Sequence, residues 1–196
     1  MKRVCFIALT CGMSFFVAAA PPMTESLPLA PPPADSRCTI SAGEGFIDYG
    51  HQSRHQLMEA SAERNMLTPG KRTLMLNVAC PYAQPFRLAL RGLRSASGEL
   101  LYGKRGSVIV SLSEVQRDGE DVHIMQTTSS GELTGTAAQS QQLQPGKTVV
   151  ATLNGQQVNG KVFSARLELE PVMADEETRV TAPTLQEAFM TLELEN

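Results

Sequence analysis

The chain has 196 residues, with 17 basic and 20 acidic side chains and no Trp. The acidic excess argues against a nucleic-acid partner, because binding to phosphates needs a basic face. The length suits one domain with a substantial core.

Residues 1–19 are predicted to be a secretory signal peptide. Lys2 and Arg3 precede an apolar run from Val4 to Val17, and small residues follow it. This order is typical of signal peptides, and the run is too short to span a bilayer. We expect cleavage after Ala19 and export to an oxidising compartment.

Residues 20–36 follow as a Pro-rich N-terminal extension, which holds six of the twelve prolines of the chain. Proline favours extended backbone and cannot donate to a hydrogen-bond ladder. The segment is therefore predicted to be an extended tether.

Two of the four cysteines, Cys38 and Cys80, remain after cleavage. Two cysteines in an oxidising compartment allow one disulfide. Their spacing resembles neither a CxxC redox pair nor a zinc knuckle, so a structural role is predicted. Cys80 has the parity of Leu76 and Val78 and is expected to point inward with them.

Beyond residue 36 the apolar residues recur mainly with a period of two, which is typical of strands with one buried face. The alternating segments are RTLMLNVAC from residue 72, PFRLALRG from 85, SVIVSLSEVQ from 107, DVHIMQTT from 121, KTVVATLNG from 147, VFSARLELE from 162 and AFMTLELEN from 188. Asp118-Gly119 and Pro145-Gly146 mark turns, and Asn-Gly pairs at 154 and 159 bracket a short excursion. We predict an all-β sandwich of about seven or eight strands.

Only residues 51–67, HQSRHQLMEASAERNML, suggest a helix, and their sparse apolar residues predict a long loop with one helical turn. His51, His55 and Glu59 fall at four-residue steps, which on a helix would place them on one face as in a zinc site. A solvated loop is the favoured interpretation, and no metal is expected.

The other polar segments are interpreted as surface. Gly103 to Gly106 is predicted to be a turn, and Asp175 to Glu177 a solvated loop before the last strand. The sequence contains no G-x-S-x-G elbow and no phosphate-binding loop. We therefore expect neither an enzyme nor a cofactor.

Several motifs together resemble the bacterial chaperone–usher pilus subunits, and in particular a fimbrial-like family of formerly unknown function. They are Cys38-Thr39, Ile47-Asp48-Tyr49-Gly50, Thr73-Leu74 and Leu76-x-Val78-x-Cys80-Pro81, followed by a Pro-Gly turn before KTVVATL, the strand VFSARLELEPVM and an alternating C-terminal strand. The resemblance covers about residues 37–196 and is strongest around the cysteines.

The resemblance implies an incomplete immunoglobulin-like β-sandwich with one disulfide, completed by a donated strand. In that family a periplasmic chaperone fills an apolar groove, and a neighbouring subunit later replaces it at an outer-membrane usher. The residues that match the groove-lining final strand are Ala188, Met190, Leu192 and Leu194. Asp48 is expected to cap a turn, and Tyr49 to place its ring on the core.

The N-terminal extension departs from the family pattern, because prolines interrupt the segment that should alternate. Met23, Leu27 and Leu29 keep the parity of a donor strand, so they are its candidate anchors. The alternative is a tip or terminal subunit, which accepts a donor strand without providing one.

Two functions are consistent with these features. The first is a structural or adhesive fimbrial subunit, secreted through the periplasm to the cell surface, with a chaperone, an usher and neighbouring subunits as partners. The second is a self-contained secreted β-sandwich binding module that would recognise a ligand through loops such as residues 51–70 and 126–143. They differ in whether the chain folds without a borrowed strand.

Overall fold

The computed structural model describes residues 37–43, 45–61, 65–128 and 130–195. The predicted signal peptide and the Pro-rich extension lie outside these described residues. Over the described ranges the chain forms short 3₁₀ turns at Arg54–Gln56 and Asp175–Thr178. The strands are β1 (Thr39–Ser41), β2 (Met58–Glu59), β3 (Met66–Thr68), β4 (Arg72–Pro85), β5 (Arg87–Gly92), β6 (Leu100–Tyr102), β7 (Gly106–Arg117), β8 (Glu120–Asp121), β9 (His123–Thr127), β10 (Leu133–Ala138), β11 (Ser140–Leu143), β12 (Thr148–Leu153), β13 (Gln156–Gln157), β14 (Asn159–Ala174) and β15 (Met190–Leu194).

The first sheet is built around β14, the longest strand. β4 pairs with one edge of β14 and β7 with the other, both antiparallel. β1 continues the sheet beyond β4, while β3 and then β2 pair at the far end of β14. The outer edge of β7 is covered in turn by β6, β11 and β8.

The second sheet runs in the order β10, β9, β12, β5, β15, with β13 beside β12. Its named pairs are all antiparallel. Both sheets contribute to one buried apolar cluster, in which the rings of Phe86 and Phe163 stack 4.7 Å apart. The predicted all-β sandwich is confirmed.

The two sides of the sandwich differ. On one side, only Gln139 separates β10 of the second sheet from β11 of the first, so the chain crosses between the sheets and closes that side. On the other side the sheets end at β1 and β15, and no strand of the described ranges pairs with the outer edge of either one. This open side positions the candidate site.

The alternating segments form strands for the predicted reason. In β14 the side chains of Phe163, Ala165, Leu167 and Leu169 are buried while alternate residues are mostly more exposed. The pattern holds because one face of the sheet covers the core and the other meets solvent. Glu170 is a departure, since it has the outward parity and yet is only 3 % exposed.

A covering segment explains the burial of Glu170. The carboxylate accepts hydrogen bonds from the Ser61 backbone N–H at 2.8 Å and from its hydroxyl at 2.9 Å. Earlier in the same segment, the Arg54 guanidinium pairs with Asp175 at 2.5 Å. The region from residue 51 to 61 is therefore fastened to β14 and to the 3₁₀ turn that follows it.

Two predictions in these segments need correction. Residues 51–67 contain the predicted helical turn, but they are not otherwise a long loop, because β2 and part of β3 also lie there. Asp175 to Glu177 is a 3₁₀ turn rather than a simple loop, and Asp175 is bound by Arg54 and Arg179. Those two guanidinium groups lower the pKa of the Asp175 carboxyl, with Arg179 contributing most.

The turn predicted at Asp118-Gly119 is confirmed, with φ of 50° and 86° at its two residues. The hairpin itself pairs β7 only with the short β8, because β9 lies in the second sheet beside β12. The Asp118 carboxylate accepts hydrogen bonds from the backbone N–H groups of Val162 at 2.9 Å and Lys161 at 3.0 Å. These bonds lower the pKa of Asp118, the bond from Val162 having the largest effect. The turn therefore also fixes the register of β14 beside β7.

The second Asn-Gly pair is not a turn. Asn154-Gly155 joins β12 to β13 with φ of 52° and 75°, as predicted. Asn159 instead begins β14 opposite Pro85, so this pair extends a strand. Within the described ranges no helix has the length and apolar character needed to cross a membrane.

Candidate functional site: the open side of the sandwich

A disulfide joins Cys38 and Cys80, as predicted. It fastens the start of β1 to β4, where Thr39 lies opposite Ala79 and Ser41 opposite Asn77. The Gln84 side chain also approaches the Cys38 sulfur. The bridge therefore fixes one wall of the open side.

β15 forms the opposite wall, and among the described strands it pairs with β5 alone. Leu192 lies opposite Leu90, and Leu194 opposite Leu88. Just beyond the strand, the Glu195 N–H donates to the Arg87 carbonyl at 2.9 Å. Because bonded and unbonded pairs alternate in an antiparallel ladder, the N–H and C=O groups of Leu194, Leu192 and Met190 point to the open edge.

The same three residues turn their side chains inward. Met190, Leu192 and Leu194 are partly buried and pack against the core, as does Ala188 just before the strand. Ile40 of β1 is likewise partly buried against that core. The four C-terminal residues selected from the sequence therefore share one face, although β15 itself begins only at Met190.

The two walls meet at one end of the open side. Leu194 and the disulfide line a common small recess, together with Val78, Phe86 and Phe163. The structure therefore brings the predicted cysteines and the predicted final strand together. We name the space between β1 and β15 the open groove.

The Asp48-Tyr49-Gly50 motif lies in the loop after β1. Asp48 accepts a hydrogen bond from the Gly50 N–H at 2.7 Å, which closes the turn that was predicted for it. Tyr49 is half-buried, and burial raises its pKa to about 12. The Arg72 guanidinium lies 5.5 Å from the centre of its ring.

An apolar patch beside β5 and β15 was not predicted from the sequence. Leu93, Leu185 and Phe189 are 72 %, 79 % and 77 % exposed. With Leu101 and Lys104 they line a cavity of about 300 Å³. The available signal was Phe189, whose outward parity in the predicted strand AFMTLELEN places a large apolar side chain on a surface that should be polar.

The remaining predicted residues divide into two groups. The candidate donor residues Met23, Leu27 and Leu29 lie outside the described residues. His51, His55 and Glu59 are exposed and do not share a helix, since within residues 51–59 only Arg54–Gln56 is helical. In the part of the chain that the structure describes, no group of three or more His, Cys, Asp or Glu side chains could hold a metal ion.

No profile of a known protein family matches the chain, and no curated protein matches it significantly.

Proposed function

We propose that this chain is a structural or adhesive subunit of a cell-surface fimbria, assembled by the chaperone–usher pathway through donor-strand complementation. The open groove is the observation that carries the proposal. It combines outward-pointing main-chain groups on β15 with inward apolar side chains beside the core. An added strand would form hydrogen bonds with the main-chain groups and cover the apolar side chains.

This function gives each partner a physical task. A periplasmic chaperone would fill the groove first, because an uncovered apolar edge promotes aggregation. An outer-membrane usher would then exchange the chaperone strand for one from a neighbouring pilus subunit. The chain would travel through the periplasm to the cell surface.

Expression of residues 20–196 in a bacterial periplasm, with and without the cognate chaperone, tests the proposal. We expect soluble protein only as a one-to-one chaperone complex, because the groove needs a borrowed strand. A well-folded monomer obtained without the chaperone, and unable to bind strand peptides, would overturn the proposal.

One residue of β15 and one of β10 supply a matched pair of variants. Leu192→Asp places a charge on the inward face of β15 and should abolish co-purification with the chaperone. Thr136→Asp places the same charge at an exposed position of β10, at the opposite edge of the second sheet, and should leave co-purification intact. Equal loss in both variants would show that the inward face is not the contact.

The role of the Pro-rich extension needs its own test. Proline cannot donate to a ladder, so the extension is a poor donor strand, and we propose that the subunit is terminal or minor in the fibre. Deletion of residues 20–35 should then leave chaperone binding and incorporation unchanged. Fibres that stop growing at the deleted subunit would assign the donor role to the extension.

A self-contained secreted binding module is the second candidate. The fastening of residues 51–61 through Ser61–Glu170 and Arg54–Asp175 favours it, because a rigid loop suits ligand recognition. In that case the chain folds as a monomer, and loop substitutions rather than groove substitutions alter binding.

A further inference from the structure

The outward face of β15 carries a second set of features that the groove does not use. Met190 lies opposite Gly92, so the preceding Phe189 comes opposite Leu93. Both side chains point away from the core and are more than 70 % exposed. With Leu185 they border the cavity of about 300 Å³, which has room for a large apolar side chain.

Farther along the same face the charge is negative. Glu193 and Glu195 both bind the Arg91 guanidinium, at 2.9 Å and 2.6 Å. One cation shared by two carboxylates leaves one negative charge in excess. Glu193 lies on the edge strand with its side chain about half exposed, so an approaching cation can reach it.

A strand that pairs with the open edge of β15 must present side chains on both faces. Its inward residues fill the groove, while its outward residues come to lie about 5 Å from Phe189, Thr191 and Glu193. Recognition would therefore depend on the outward residues as well as the inward ones.

The geometry points to a partner strand from a different protein, with one large outward apolar side chain beside Phe189 and one outward basic side chain beside Glu193. This inference rests on the proposed function, since it concerns the strand that completes the sandwich. The apolar side chain packs against the exposed ring of Phe189 at the border of the cavity, and the basic one neutralises the excess charge.

The N-terminal extension of a second copy of this chain does not fit that description. The extension of residues 20–36 contains no Lys or Arg and two acidic residues, Glu25 and Asp35. The residues that would point outward, if its candidate anchors point inward, are Thr24, Ser26, Pro28 and Ala30. None is large and apolar, and none is basic, so this acceptor edge selects another protein.

Fluorescently labelled peptides test the inference on the chain of residues 20–196, purified alone or as its chaperone complex. A matched peptide alternates inward Leu and Val with outward Phe and Lys, spaced to meet Phe189 and Glu193. A neutral peptide carries Thr at both outward positions. Each is made in both sequence orders, so that either strand direction is sampled, and a third peptide reproduces residues 20–36.

We expect the matched peptide to bind about tenfold more tightly than the neutral one, because it adds an apolar contact and an ion pair. Phe189→Ser should remove the gain in affinity that comes from the Phe of the peptide. Glu193→Gln should remove the gain that comes from its Lys. Leu153→Ser, an exposed apolar residue on β12, is the control and should change neither affinity.

The outcomes separate the inference from the proposed function. Equal binding of matched and neutral peptides overturns the inference and leaves the groove standing. Binding of the residue 20–36 peptide as tightly as the matched peptide overturns the assignment to a different protein. Failure of every peptide to bind overturns both.

Discussion

At the scale of single residues, Tyr49 combines burial with an unused polar group. Its hydroxyl is buried and has no hydrogen-bond partner among the described residues. Tyr49→Phe should therefore leave the free energy of unfolding unchanged or raise it by up to about 1 kcal/mol, since no bond is lost. Denaturant unfolding measures this, with Tyr82→Phe at an exposed position as the control. A loss of stability confined to Tyr49→Phe would reveal a partner for the hydroxyl.

The same residue predicts an alkaline limit to stability. Burial raises the pKa of Tyr49 from 10.0 to about 12, because the phenolate is poorly solvated there. The stabilisation is complete below the pKa that Tyr49 has in the unfolded chain, and it is lost as pH rises towards the pKa of the folded state. Unfolding curves from pH 9 to 12 should therefore show a decline that is smaller in Tyr49→Phe. Parallel declines in both proteins would assign it to other groups.

Asp118 predicts the opposite behaviour in acid. Backbone N–H groups bind its carboxylate and lower its pKa below the ordinary value of 3.8. The stabilisation is therefore present above that value and disappears as pH falls through the folded pKa. Thermal midpoints below pH 4 should fall more steeply in the wild type than in Asp118→Asn, which keeps an acceptor oxygen but does not titrate. Identical slopes would contradict this role.

At the scale of secondary-structure elements, Gly92 controls the contact between β5 and β15. A Cβ placed there would lie 2.8 Å from the Phe189 carbonyl oxygen and 2.3 Å from a Leu100 methyl group. Gly92→Ala should lower the free energy of unfolding by about 1–3 kcal/mol through overpacking, and should weaken strand-peptide binding. Gly45→Ala, where nothing lies within 4 Å, is the control. Equal stability of the two variants would show that β15 can shift without cost.

The sequence predicted the strands whose two faces differ, because burial imposes a period of two on them. β4, β14 and β15 were found in this way, together with the inward set on β15. β10 and β11 were missed because they lie in a polar stretch. β10 is largely exposed, and Leu143 is the one buried residue of β11.

The apolar patch of Leu93, Leu185 and Phe189 could not be predicted from the sequence for a different reason. Phe189 and Leu93 are 96 positions apart and meet only through the register of β15 on β5. Alternation assigns a residue to a face, but it does not say which residue lies opposite. The burial of Glu170 was hidden in the same way, because the segment that covers it is remote in sequence.

At the scale of the whole molecule, the disulfide is the main covalent constraint. It closes a loop of 42 residues between Cys38 and Cys80. Replacement of both cysteines by Ser should lower the free energy of unfolding by about 4 kcal/mol, because the unfolded chain gains entropy. Denaturant unfolding of the variant should match that of the wild type in reductant. A difference below about 1 kcal/mol would show that the sandwich holds without the bridge.

The shortness of β1 has a consequence for the timing of the proposed assembly. β1 has three residues, and β4 is its one partner strand in the described ranges. The covalent bond at Cys38 therefore holds this wall in place more than its few ladder bonds do. Under the proposed function, a chain with free thiols would offer an incoming strand β15 alone and would bind it weakly. Thiol oxidation would then precede strand capture, and the rate of oxidation would limit how soon capture can occur.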